Sequence, residues 1–176
     1  MSILKVNTIQ PESGSTINIP SGNKLTGVAG SIAAPGSVIQ VVSTTVQAQT
    51  TTTSQNTFDA TSTAATITPT SATSKVLVLV SSGLFWLNGS GGGTATIYRN
   101  GSNIHPQTGK YFVRTYPTGS TSIALQTTGP MSYLDSPAST SALTYTVYIQ
   151  ATWGGTVQWG STNNDCATMT LMEIAQ

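Results

Sequence analysis

The stretch from Leu143 to Trp153, LTYTVYIQATW, sets Leu143, Tyr145, Val147, Ile149 and Ala151 against Thr144, Thr146, Tyr148, Gln150 and Thr152. Successive side chains of an extended chain point to opposite faces, so this alternation predicts a strand with one face buried. Other segments repeat the theme. Val38 to Val46 (VIQVVSTTV) is rich in β-branched residues, and Ala65 to Pro69 reads as a short strand. Lys75 to Leu87 (KVLVLVSSGLFWL) opens as a near-continuous apolar run, the pattern of a strand buried on both faces. Thr94 to Arg99 alternates and runs into Asn100-Gly101, a pair suited to the two positive-φ positions of a type I′ hairpin turn. Lys110 to Thr115, Ser122 to Thr127, Met131 to Asp135, Thr156 to Gly160 and Ala167 to Ile174 complete the series. Gly154-Gly155 predicts a hairpin into the strand after it. Residues 47–57 read as a loop or exposed edge, and the glycine-rich residues 89–93 as a flexible hairpin tip. Roughly eight or nine of these segments are expected as strands, spaced about 8–15 residues apart with no amphipathic helix among them, which defines an all-β chain. The expected fold is an antiparallel β-sandwich or jelly roll over residues 37–176.

Residues 1–36 behave differently. Ile3, Leu4, Val6, Ile9, Ile17, Ile19 and Leu25 are scattered among Asn, Ser, Gly and Pro, and turn residues interrupt the segment every few positions. No element here is long enough to close a core alone. The segment is therefore expected to be an extended arm that packs on something else: the C-terminal domain, sister chains or a larger assembly. Fully extended, it could reach roughly 120 Å.

Composition narrows the function classes. Only 6% of the 176 residues are charged, with six basic and five acidic side chains, while Thr and Ser number 32 and 22. Six positive charges cannot line a phosphate-binding surface, so nucleic acid is not an expected partner. Charge-driven binding to a membrane surface fails for the same reason. The longest apolar run, Val76 to Val80, is too short to span a bilayer, so no membrane insertion is expected. MSILKVNTIQ lacks the basic and apolar regions of a signal peptide.

Reagents for catalysis are sparse. His105 is the one histidine and reads as a loop residue. Cys166 is the one cysteine, which excludes an intrachain disulfide and reads as a half-buried structural thiol. Glu12, Asp59, Asp135, Asp165 and Glu173 are the only carboxylates; Asp135, before Ser136-Pro137, and Asp165, in Asn163-Asn164-Asp165, read as turn residues. Residues 89–93 match no phosphate-binding loop. The expectation is a non-enzymatic protein with no catalytic residue, metal or cofactor. Aromatic residues remain as binding candidates. Trp86, Trp153 and Trp159 lie at or near strand ends, and Tyr111, Phe112 and Tyr116 cluster between Gly109 and Pro117. Of these, Tyr111, Phe112, Tyr116, Trp153 and Trp159 are the candidate ligand contacts, and packing accounts for them as well.

The opening LKVNTIQ…STINIPSGNKLTG, followed by GSIAAPGSVIQVV, resembles the N-terminal segment of structural proteins from tailed phages, especially those of marine cyanobacteria. FDATSTAATITPTSATSKVLVLVSSG and ATIYRNGSNI are similar to a β-domain of phage tail-fibre-like proteins, and SYLDSPASTSALTYTVYIQ and TMTLMEIA resemble its last strands. The resemblance implies a virion component made in the host cytoplasm, a homotrimer with residues 1–36 held by other virion proteins and the sandwich displayed. Attachment to a host surface glycan or protein is the leading expectation. A capsid decoration or fibre protein contacting other virion proteins is the alternative, and a glycan depolymerase the minor one.

Overall fold

A computed structural model describes residues 9, 11, 19–24, 27, 34–105, 110–115, 124–163 and 165–176; for residues 110–112 and 115 it gives the backbone alone. The chain divides into two compact units, Met1–Ile32 and Ala33–Gln176. In the first, Asn23 donates its amide to the Pro20 carbonyl, and Ile9 and Ile19 are exposed. The other apolar positions proposed for attachment, Ile3, Leu4, Val6, Ile17 and Leu25, lie outside the described residues.

The second unit is all-β. Its strands are β1 (Val38–Val46), β2 (Thr50–Thr52), β3 (Asp59–Ile67), β4 (Lys75–Ser82), β5 (Phe85–Asn88), β6 (Gly91–Arg99), β7 (Ser102–Asn103), β8 (Lys110–Thr115), β9 (Ala124–Thr127), β10 (Met131–Asp135), β11 (Leu143–Thr152), β12 (Thr156–Trp159) and β13 (Ala167–Ile174). They form three antiparallel sheets in a sandwich-like arrangement. Two have four strands, β1-β13-β4-β10 and β2-β12-β5-β9; the third runs β3-β11-β6, with β7 and β8 both paired to β6.

The two four-stranded sheets share one order. β1 leads into β2, β4 into β5, β9 into β10 and β12 into β13, so each position in one sheet continues into the same position in the other. Backbone bonds cross the interruption: Gly83 donates to the Cys166 carbonyl at 3.1 Å, Gly129 to Ser82 at 3.3 Å and Gly160 to Leu84 at 2.9 Å. Four long strands are thus broken at one level, and more than the expected eight or nine strands result.

Several expectations change here. The Lys75–Leu87 run is two strands in two sheets, parted at Gly83, and β4 is buried on one face only: Val76, Val78 and Val80 point inward while Leu79 is 36% exposed. The apolar residues on its other face had the look of a second buried surface because periodicity does not show which leucines meet solvent. Residues 89–93 are not a hairpin tip, since Gly91, Gly92 and Gly93 begin β6 and pair with both β11 and β8. Gly154-Gly155 turns the chain, but β11 and β12 belong to different sheets, so no hairpin ladder follows. The tract 47–57 contains β2, an edge strand. Asn100-Gly101 behaves as read, with φ of 48° and 81° between β6 and β7.

The core lies between the layers. Val76, Val78, Val80, Met169 and Leu171 meet Ala65, Ile67, Ile97, Tyr145, Val147 and Ile149, and Phe85, Leu87, Val157 and Trp159 extend the cluster. All five residues assigned to the inner face of β11 are buried. Two polar ties close the sandwich. Asp135 on β10 accepts from Arg99 on β6 at 2.6 Å and from the Tyr145 hydroxyl on β11 at 2.7 Å. It is therefore a buried strand residue rather than a turn former. The Glu173 carboxylate on β13 accepts from Gln40 Nε2 at 2.6 Å and from the Thr70 amide and hydroxyl, each at 2.8 Å.

Candidate binding site

Alternation along β11 would send residue 153 into the core after Ala151. Instead Trp153 takes φ of 60°, and Gly154 and Gly155 follow at 100° and 79°. A left-handed backbone is uncommon for any residue with a Cβ and strained for a bulky one. The turn swings the indole outward, where it is 58% exposed even with the Arg114 guanidinium 4.0 Å above its centroid.

The glycines of β6 explain how Arg114 reaches it. Arg114 pairs with Gly92, and Gly92 pairs with Thr152, so the three stand in one row across β8, β6 and β11. The middle position carries no side chain, which lets the arginine cross toward the Trp153 turn. Gly91 is required by geometry as well, because a Cβ there would lie 2.4 Å from the Thr152 carbonyl oxygen and 2.5 Å from that of Gly154. Thr152 Oγ1, at the same level, is buried and has no hydrogen-bond partner. An indole and a guanidinium thus meet at the surface beside the glycine row. An indole face takes the C–H face of a sugar ring or an apolar side chain.

The other candidates are placed elsewhere. Trp159 is only 1% exposed: its indole N–H donates to Thr63 Oγ1 at 2.9 Å, and its ring meets Phe85 edge-on at 6.1 Å. It holds the layers together and has no surface to offer a ligand. Tyr111 sits opposite Thr94 in the ladder, and Phe112 lies at the bulge beside it; their side chains, and all of Tyr116, lie outside the described residues. Cys166 is exposed rather than half-buried.

A second aromatic group lies on the outer face of the β6–β11 pair. Tyr98 and Tyr148 stack with centroids 3.8 Å apart, and Phe58 lies 6.3 Å from Tyr98. Tyr148 was legible as an outward residue of its strand. Its partner was not, because the diagonal contact depends on the β6–β11 register. A hollow of about 470 Å³ also opens beside β10, lined by Leu79, Val80, His105, Pro130, Met131 and Ser132. Among the described residues, no three of His, Cys, Asp and Glu gather as a metal site would require, and no helix is long and apolar enough to cross a membrane. No protein-family model matches the chain, and no curated protein matches it.

Proposed function

We propose that this chain is a non-enzymatic virion protein of a tailed phage, of the tail-fibre or receptor-binding type, and that it mediates attachment to the host surface. In this reading the second unit is a jelly roll. Counting each broken strand once, and β7 and β8 together as one strand against β6, gives eight strands, with the first, eighth, third and sixth in one layer and the second, seventh, fourth and fifth in the other. That interleaving is two Greek keys wound together, an architecture common to viral capsid and lectin domains. Residues 1–36 hold the protein to the particle and the jelly roll is displayed, three copies together.

The observation that carries the attachment reading is Trp153, held in solvent on a strained backbone with Arg114 over its ring. Strain of this kind persists where a function needs the side chain in that place. Trp153→Gly relieves the backbone and removes the ring. Fluorescently labelled protein is incubated with a panel of marine cyanobacterial strains and the retained fraction measured. The expected outcome is retention of the parent protein on a subset of strains, and loss of that retention in Trp153→Gly with a melting temperature equal to or above the parent's. Retention on no strain, or retention indifferent to the substitution, refutes the assignment. The capsid-decoration reading shares the jelly roll, so gold-labelled antibody on the particle separates the two by position.

A further inference from the structure

The outer face of the β1-β13-β4-β10 sheet is divided in two. Toward one end, Ser43 bonds Thr170 and Thr45 bonds Thr168, both at 3.0 Å, and Ser81 and Ser132 complete a hydroxyl-covered half. Toward the other end the same strands present Val41, Met172, Leu77 and Leu134 in a single register row across all four strands. Val38 and Ile174 flank that row on one side and Leu79 on the other. Val38 is 51% exposed, Val41 55% and Leu134 48%. Of the eight large hydrophobic residues exposed among the described residues, Val38, Val41, Leu79 and Leu134 belong to this one face. Scattered exposed leucines need no explanation; a contiguous row across a sheet does.

We propose that this face is where copies of the chain meet, three around a common axis. The inference rests on the trimeric part of the function proposed above and names the surface that makes it. The chemistry suits a second copy better than a charged partner. Lys75, at the end of its strand beside Ile174, is the one charged side chain directed to this face among the described residues. A partner bringing carboxylates or ammonium groups would bury them unpaired. The same face of another copy brings leucine, valine and methionine, and a net charge of +1 gives little repulsion between copies. The hydroxyl half continues the face as a polar margin beside the apolar row, so water-tolerant and apolar contacts both have a place in the interface.

Dimensions agree. Four strands about 4.8 Å apart and about eight residues long make a face of roughly 19 by 27 Å, near 500 Å². Two such faces together reach roughly 1,000 Å², the lower bound of a specific contact. Three faces about 19 Å wide, closed into a triangle, stand roughly 5–6 Å from the shared axis, about half the ~10 Å at which sheets pack.

The test uses the full chain, with native mass spectrometry and sedimentation at micromolar concentration. The parent protein is expected to be a trimer. Leu77→Lys and Val41→Lys, both at outward positions, are expected to weaken it by roughly a hundredfold or more, with the near-ultraviolet signature of buried Trp159 retained. Ser62→Lys, exposed on β3 in the opposite layer, is expected to leave the trimer intact. Val41→Thr, which keeps the shape of the side chain, gives a milder shift and stands in if a lysine variant fails to fold. A monomeric parent protein overturns the trimer itself. A trimer that folded Leu77→Lys and Val41→Lys variants leave unchanged overturns only this face, and a dimer overturns the threefold arrangement. Cell retention is read separately on the same variants: its presence with a failed trimer test overturns the proposed assembly alone, and its absence from the parent protein overturns the attachment reading.

Discussion

Glu173 is fully buried, yet it remains a good position for a carboxylate. Burial pushes its proton affinity up, but the hydrogen bonds from Gln40 and Thr70 outweigh this and hold the group below its ordinary value of 4.5. These bonds also tie β1 and the β3–β4 connection to β13, so the side chain joins three segments distant in sequence. A carboxylate whose folded value is depressed adds stability above the ordinary value, and that stability is lost as pH falls below it. Glu173→Gln should therefore cost about 1.5–3 kcal/mol at neutral pH, and the two melting curves should converge on acidification below pH 4.5. Thermal melts from pH 7 downward check this. A constant gap between the curves would show that the ionisation of Glu173 contributes nothing. Tyr145 works in the opposite direction. Burial first, then the hydrogen bond to Asp135, pushes its hydroxyl far above the usual phenol range, so its contribution holds below that range and fades only in strong alkali.

At the scale of elements, β6 departs most from its sequence impression. Its glycines invite the reading of a loose loop, and yet they lie buried in the middle of a sheet. Gly93 faces the core where a Cβ would come within 2.6 Å of the Phe85 ring and 3.1 Å of Val157. Gly93→Ala should cost about 1–3 kcal/mol through overpacking, seen as a lower urea midpoint with an unchanged slope. An unchanged midpoint would mean that Phe85 can give way. The strands that alternate cleanly, β1, β10, β11 and β13, were legible because a half-buried sheet imposes a period of two on the chain. The glycine strand was not, because glycine carries no polarity to read, and its place follows from neighbours on β5, β8 and β11. The same limit applies to the site. Trp153 stood out as an aromatic residue beside a turn, while Trp159, alike in that respect, is enclosed by Thr63, Phe85 and Gly129, partners from three separate segments. Arg114 was passed over because its link to Trp153 runs across two strand pairings.

At the scale of the molecule, the pairings are mostly non-local. β1 pairs only with β13 in its sheet, β3 with β11, and β2 with β12. Loop closure must precede such contacts, which slows folding to the millisecond-to-second range typical of all-β sandwiches. Refolding followed by the fluorescence of Trp159 should show a slow main phase in that range, and a microsecond main phase would contradict the strand order.

The place of β13, between β1 and β4, has a consequence for synthesis. Val38–Val46 leaves the ribosome long before Ala167–Ile174, and until then β1 lacks its only neighbour in its sheet and β4 lacks one of its two. Both waiting strands are apolar and have almost no charge to keep them apart from other chains. A polypeptide that stops short of Ala167 cannot build this layer, so interrupted translation yields adhesive fragments and only the finished strand order conceals them.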